Sequence, residues 1–155
     1  MDVKYINPFL EAVVSVLGNF GISDVKRSSI QKKETMHVDL DITSVIGLVG
    51  RVRGNIAYSL SEATALGIVS KMMNIPVKVF DDISRSAIGE LANMITGTAS
   101  GVIAGLTAQK GLIESTAPSI IMGKDIYFMI SSVPAIAVTM DTPAGRIEVN
   151  IGLEA

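Results

Sequence analysis

Residues 81–106, DDISRSAIGELANMITGTASGVIAGL, form the stretch around which the rest of this sequence is organised. Apolar side chains recur in it every three or four residues, the spacing that places side chains on one face of an α-helix. These apolar positions are Ile88, Leu91, Ile95, Ala99, Val102 and Leu106. The sequence therefore predicts one long helix that buries this stripe in the core.

The opposite face of the same helix is polar and small, and it carries Ser86, Glu90, Asn93, Gly97, Ser100 and Gly101. Glu90 and Asn93 are three residues apart, so their side chains project together. Solvated polar residues, and glycines that serve packing, are the ordinary explanation of such a face. However, Asn and Gly are poor helix formers, Gly by about 1 kcal/mol relative to Ala. Their concentration on one face indicates a close approach, either by packing within the chain or by a partner.

Length and composition narrow the class of protein. The 155 residues predict a single domain, 1–155, and the hydrophobic content of 48% with a mean hydropathy of +0.47 excludes disorder. A net charge of -2 argues against nucleic acid as a partner, because no excess of cations is present to neutralise phosphates. The absence of cysteine excludes disulfides and thiol catalysis, and a single histidine argues against a His-based metal site.

Part of the long helix shares features with membrane-spanning segments. Residues 91–109 carry no charge and contain the Gly97-x-x-x-Gly101 spacing of packed membrane helices. The segment also contains several polar residues, and its apolar residues keep to one face. A buried or half-buried helix of a soluble, cytoplasmic protein fits this pattern better, and the N-terminus lacks the order of a secretory signal.

Two further helices are predicted. The first follows Asn7, which would act as N-cap with Pro8 in the first helical position, and it ends near Gly18. The second follows Ser61 as N-cap and ends before Pro76. Asp81 and Asp82 are interpreted as capping residues that favour the N-terminus of the long helix.

Strands surround these helices. Alternating apolar and polar residues predict a strand from Met36 through Ile42, and the β region 37–60 contains a turn near Gly50 and a bulge at Gly54. Weaker patterns predict strands near 25–31, 112–122, 126–130, 135–140 and 146–153, with residues 109–111 closing the long helix. This arrangement predicts an α+β fold with a largely antiparallel sheet.

Other candidate sites have ordinary explanations. His37 lies beside Asp39 and Asp41 on the polar side of a strand, where a solvated face is the better interpretation than a metal site. The glycines at 47, 50 and 54 lack the lysine and the following helix of a phosphate loop. The eight methionines are interpreted as core filler.

Residues 86–94, SAIGELANM, resemble the signature of the CheC/CheX/FliY family of bacterial chemotaxis phosphatases. That signature is Ser or Asp, three residues, Glu, two residues and Asn, and then a proline somewhat over twenty residues later. Ser86, Glu90 and Asn93 match it, and Pro118 occupies the proline's place slightly late, after Ala117 where a second proline is expected. The stretches 6–9, 45–47, 58–61, 71–73 and 118–125 also agree, so the resemblance covers nearly the whole chain. The single Glu–Asn helix is that of the CheX-like members.

The resemblance implies a function and a fold. The fold would be CheC/CheX-like, with long helices packed on a largely antiparallel sheet. The activity would be hydrolysis of the aspartyl phosphate of a CheY-like response regulator. Glu90 would pair with the regulator's active-site lysine, and Asn93 would hold the attacking water. A carboxamide can both donate to and accept from a water molecule, which suits that role.

The resemblance also implies which groups surround this pair. Ser86, Gly97, Ser100 and Pro118 would contact the partner. This chain would bind no cofactor itself, because the Mg²⁺ would belong to the regulator. A homodimer joined through the sheets is expected as well.

Two alternatives remain open from the sequence. The chain could be a non-catalytic adaptor that binds a response regulator or a flagellar-switch component with the same helix. It could also be a structural domain whose Glu90 face is solvated or packs in a dimer.

Overall fold

The computed structural model describes residues 3–106, 112–128 and 134–154. Within these residues, three helices and nine strands follow one another along the chain. They are α1 (Val3–Asn19), β1 (Lys26–Lys33), β2 (Met36–Val38), β3 (Ile42–Gly50), β4 (Arg53–Leu60), α2 (Glu62–Met73), α3 (Asp82–Leu106), β5 (Ile113–Ser115), β6 (Ser119–Met122), β7 (Ile126–Phe128), β8 (Ala135–Thr142) and β9 (Gly145–Glu154).

Seven of the strands form one sheet in the order β1-β8-β9-β4-β3-β5, with β6 also paired to β3. Every pairing in it is antiparallel, and β2 pairs with β7 in a separate two-stranded ribbon. The predicted α+β fold with a largely antiparallel sheet is confirmed.

The main core lies between the sheet and the helices. Alternate side chains of β3, β4 and β9 point to this side, as strand geometry requires, and among them Ile42, Ile46, Ile56 and Ile151 are fully buried. The helices α1 and α3 pack against each other, and α3 also contacts β3, β5 and β6. On the other face of the sheet, Met36 of the β2–β7 ribbon packs with two buried alanines of the sheet.

The first helix begins earlier than the sequence predicted. It starts at Val3, so Asn7 is not its N-cap and Pro8 lies inside it. A proline there forgoes one backbone hydrogen bond, but the apolar face continues on both sides of it, since Ile6 and Phe9 are buried. Burial of that face therefore outweighs the local preference for starting at the proline. The predicted end near Gly18 is confirmed, with the N–H of Ile22 donating to the carbonyl of Leu17 at 3.0 Å.

The predicted caps of the other two helices are confirmed. The Oγ of Ser61 accepts from the N–H of Thr64 at 3.1 Å. Asp81 caps α3, because its Oδ1 accepts from the N–H of Ser84 at 2.9 Å. The Oγ of Ser84 donates to the same oxygen at 3.0 Å, and these two hydrogen bonds hold the pKa of Asp81 below its ordinary value.

Two predicted β features are wrong in detail. The strand expected from Met36 through Ile42 breaks at residues 39–41, because β2 pairs with β7 while β3 joins the main sheet. Gly54 does not mark a bulge, since its register with β3 and β9 is unbroken. It has a φ of +139°, and a Cβ there would collide with the carbonyl oxygen of Gly152. Close approach of two strands explains this glycine.

Other boundaries follow the described ranges. The strand predicted over 112–122 is divided by residues 116–118 into β5 and β6. Residues 109–111, predicted to close α3, and residues 129–130 of another predicted strand lie outside the described residues. None of the helices in the described part of the chain is long and apolar enough to cross a membrane.

Candidate active site

The buried face of α3 positions its exposed face. Ile88, Leu91, Ile95 and Ala99 are buried, as predicted. The last two predicted positions are wrong, because Val102 is 43% and Leu106 is 60% exposed, and Ile103 is buried instead. The contacts of α3 are shared between α1 and several strands, so the buried line turns around the helix and does not follow one narrow stripe.

The opposite face of α3 is open, as the sequence predicted. Ser86, Glu90 and Gly97 are exposed, and Asn93 and Ser100 are half-buried. Within the part of the chain that the structure describes, the side chains of Glu90 and Asn93 have no hydrogen bond or ion pair. Both polar groups are therefore free to bind an external molecule.

Pro118 joins the signature residues across a groove. Although distant in sequence, it lies with Ser86, Glu90 and Asn93 around a groove of about 420 Å³, together with Arg85, Gly89 and Ile120. Strand β6 brings Pro118 there by pairing with β3 next to the helix. The predicted site residues of the first half of α3 and the proline are thus brought together.

Gly89 explains how the strand comes so close to the helix. A Cβ at this position would lie 3.3 Å from Cγ of Pro118 and 3.8 Å from Cδ1 of Ile120. A larger side chain would push the proline away from the helix. Sequence reasoning missed Gly89, although a glycine next to the signature glutamate was the available signal.

Gly97 and Ser100 lie on the same face but outside the residues that line the groove. A Cβ at Gly97, Gly101 or Gly105 would meet nothing within 4 Å. Packing between these glycines and other described residues therefore does not account for them. The Oγ of Ser100 is buried and has no hydrogen-bond partner among the described residues.

A buried hydrogen bond fixes the helix just after Asn93. The hydroxyl of Tyr58 on β4 and the Oγ1 of Thr96 are 2.8 Å apart, and both residues are buried. Burial raises the pKa of Tyr58 well above its ordinary value. This hydrogen bond attaches the turn that follows Asn93 to β4, an inner strand of the sheet. No local pattern in the sequence predicted the contact between these two residues.

His37 forms contacts that hold the β2–β7 ribbon together. Its Nε2 lies 2.6 Å from Oδ1 of Asp125, and its ring packs on Tyr127 with centroids 4.5 Å apart, so it links β2 to β7 and the turn before it. The solvated face that the sequence predicted for His37 is corrected, because its side chain is in contact with Asp125 and Tyr127. Among the described residues, no group of three or more His, Asp or Glu side chains is placed to hold a metal ion.

The fold is that of the CheC/CheX-like class of chemotaxis proteins. A CheC-like superfamily protein from Shewanella sp. PV-4 superposes with a TM-score of 0.87 at 25% identity, over 100% of both chains. The family described as chemotaxis phosphatase CheX matches residues 42–141, which is more than half of the chain. The chain therefore belongs to the CheX family of chemotaxis phosphatases, and the resemblance seen in the sequence is confirmed.

Two relatives carry more specific names. The CheY-P phosphatase CheX of Thermotoga maritima is 27% identical over 129 residues, covering 81% of this chain and 80% of that protein. A solved complex of CheX, CheY, BeF₃ and Mg²⁺ from Borrelia burgdorferi is similar with a TM-score of 0.75 and 24% identity, covering 99% of this chain and 100% of that one. The similarity to the Borrelia burgdorferi structure shows that the two proteins share the fold.

Proposed function

We propose that this chain hydrolyses the aspartyl phosphate of a CheY-like response regulator, with Glu90 and Asn93 as the catalytic pair. The observation that carries the proposal is the state of these two side chains: they stand together on an open helix face beside the groove and have no partner among the described residues. The Thermotoga relative, named as a CheY-P phosphatase, supports the substrate class.

Asn93 positions the water that attacks phosphorus. Phosphoryl transfer needs an aligned nucleophile and charge stabilisation more than covalent participation by the protein. The carboxamide oxygen accepts a hydrogen bond from the water while the amide N–H₂ donates to a phosphoryl oxygen. The helix turn that follows Asn93 is held by the buried Tyr58–Thr96 hydrogen bond, so the backbone that carries the amide is fixed before the regulator binds.

Glu90 orients the two proteins. Its exposed carboxylate pairs with the lysine of the regulator's active site, one turn along α3 from Asn93. Mg²⁺ belongs to the regulator in this proposal, in keeping with its presence in the solved CheX–CheY complex from Borrelia burgdorferi. Its chemistry is the neutralisation of charge on the phosphoryl oxygens.

The surroundings allow a partner to come close to the pair. Ser86 and Pro118 border the groove, and beyond Asn93 the face continues with Gly97 and Ser100, whose small side chains leave the helix backbone accessible. We further propose that the chain acts as one domain over 1–155 and as a homodimer. A cytoplasmic location remains the expectation from the sequence.

The decay of a phosphorylated response regulator in the presence of Mg²⁺ tests the proposal. We expect catalytic amounts of the wild-type protein to accelerate decay, and Asn93→Ala to lower the rate by about a hundredfold or more, the range seen when one positioning or stabilising group is removed. The regulator should still bind to Asn93→Ala. Thr98→Ala, an exposed change elsewhere on α3, should retain full activity.

The other functions give different results in the same assay. An adaptor would bind the regulator without accelerating decay, and Asn93→Ala would then have no effect. A structural domain would neither bind nor accelerate decay, and Glu90→Lys would leave every regulator interaction unchanged.

A further inference from the structure

Arg85 is a charged residue of the groove to which the signature assigns no role. Among the described residues that line the groove, it alone carries a positive charge. Glu90 lies in the same lining, and Asp81 and Asp82 precede it at the start of α3. Without Arg85, this end of the helix would present only negative charge to a partner.

The guanidinium of Arg85 is weakly held. Its Nη1 lies 3.4 Å from Oδ1 of Asp82, and its Nη2 lies 3.6 Å from the sulfur of Met122 on β6. The side chain of Arg85 is 50% exposed and that of Asp82 is 95% exposed. An exposed ion pair between residues three apart contributes little, and a thioether is a weak acceptor. The guanidinium can therefore exchange these contacts for a better acceptor at small cost.

We infer that Arg85 is a recognition residue that binds an oxyanion of the docked response regulator beside the reacting phosphoryl group. This inference rests on the proposed function. A phosphorylated aspartate is an anionic target, and Glu90 and Asn93 supply no positive charge to meet it. The planar guanidinium forms two parallel hydrogen bonds with a phosphoryl group or a carboxylate, which gives orientation as well as attraction. Docking would move Arg85 from Asp82 to that oxyanion.

Binding titrations of a response regulator held in its phosphorylated form by beryllofluoride and Mg²⁺ test this role. We expect Arg85→Gln to weaken binding by about five- to twentyfold, in the range of a partly exposed charge-assisted hydrogen bond. Arg85→Lys keeps the charge but loses the bidentate geometry, so it should restore part of the affinity. Lys71→Gln, which removes an exposed positive charge from α2, is the matched control and should bind normally.

Salt dependence and steady-state kinetics separate recognition from a merely structural role. Loss of the charge should make binding of Arg85→Gln less sensitive to ionic strength than that of the wild type. In the decay assay, Arg85→Gln should raise KM and change kcat by less than about twofold, because an interaction made equally in the ground and transition states affects KM. Asp82→Asn should bind as tightly as the wild type or more tightly, since it removes the competing acceptor.

The source of the oxyanion is identified by repeating the titrations without beryllofluoride. A defect confined to the beryllofluoride form identifies the phosphoryl group, whereas an equal defect in both forms identifies a carboxylate of the regulator. Unchanged affinity and salt dependence in Arg85→Gln would overturn the inference, as would an equal loss of binding in Asp82→Asn. Because these are binding measurements, they decide the role of Arg85 even if the wild type binds without accelerating decay, the result that rejects catalysis alone.

Discussion

Two glycines of α3 differ in what surrounds them. Gly89 is buried against Pro118, whereas Gly97 is exposed and a Cβ added to it would meet nothing within 4 Å. Gly89 is therefore required by the packing of β6 on the helix. Gly97 is not required by contacts among the described residues, which fits the proposal that its small size lets a partner approach this face.

We predict that Gly97→Ala raises the free energy of unfolding by up to about 1 kcal/mol, because Ala is the better helix former and has room there. The Gly97→Leu variant should also fold, but its phosphatase activity should be lower than that of the wild type, because the leucine side chain would occupy the surface that the regulator approaches. Urea unfolding and the regulator decay assay measure the two effects. Gly89→Ala is the control and should lose most of the helical gain, since Pro118 must shift. Full activity of Gly97→Leu would contradict the docking face.

The buried hydroxyl of Tyr58 makes stability depend on alkaline pH. Its pKa is raised in the folded protein, so above its ordinary value near 10 the unfolded chain releases a proton that the folded chain retains. The stability that this tyrosine contributes is complete below about pH 10 and falls as the pH rises beyond that value.

We predict that Tyr58→Phe lowers the free energy of unfolding by about 1–2 kcal/mol at neutral pH, because Thr96 loses its buried partner. The difference between the variant and the wild type should shrink as the pH rises above about 10. Urea unfolding at pH 8 and near pH 11 measures both values. Tyr127→Phe, at an exposed tyrosine, is the control for general alkaline effects. A difference that does not change with pH would exclude the role of this hydroxyl.

Among the secondary-structure elements, α3 shows for how many of its turns the apolar spacing predicts which residues are buried. The predicted stripe is buried as far as Ala99 and then departs, with Ile103 fully buried and Val102 exposed. These two neighbours are alike in chemistry and differ only in what the rest of the fold places beside them.

We predict that Ile103→Ala lowers the free energy of unfolding by about 2–4 kcal/mol, because it leaves a cavity in the core. Val102→Ala should cost less than about 1 kcal/mol, as most surface substitutions do. Denaturant unfolding of both variants gives the comparison. Equal losses in the two, or a larger loss in Val102→Ala, would contradict the burial of Ile103 and the exposure of Val102.

At the scale of the whole molecule, the two edges of the main sheet differ. The edge strand β1 is exposed along almost its whole length and carries Lys26 and Lys32, charges that discourage pairing with another strand. The other edge is formed by β5 and β6, where Ile121 is half-buried and Met122 is exposed. The second edge is the better candidate for the proposed homodimer.

We predict a mass in solution of twice the 16.3 kDa of the chain, measured by light scattering coupled to size exclusion. Ile121→Lys on β6 should shift the mass towards the monomer, because it places charge on the pairing edge. Ile30→Lys on β1 is the matched control and should leave the dimer intact, with circular dichroism checking that both variants fold. A monomeric wild type would contradict the proposed homodimer. If Ile30→Lys dissociated the dimer and Ile121→Lys did not, the interface would lie at the β1 edge.

Features that depend on near neighbours along the chain could be predicted from the amino-acid sequence. The long amphipathic helix, the caps at Ser61 and Asp81, and the juxtaposition of Glu90 with Asn93 all follow from spacings of three or four residues. The alternation of strands and helices was sufficient for the α+β class. Local hydrogen bonds and side-chain periodicity decide these features, so they can be read before any fold is known.

Contacts between distant segments could not be predicted from the sequence and are seen in the folded protein. The fold packs Pro118 against Gly89 and places Arg85 in the lining of the groove. It joins Tyr58 to Thr96 by a hydrogen bond and includes Pro8 within α1. It also broke the expected strand before Ile42 and brought Gly54 against Gly152. Each of these outcomes depends on pairings between strands and on burial summed over many residues, and such sums override the preference of any single position.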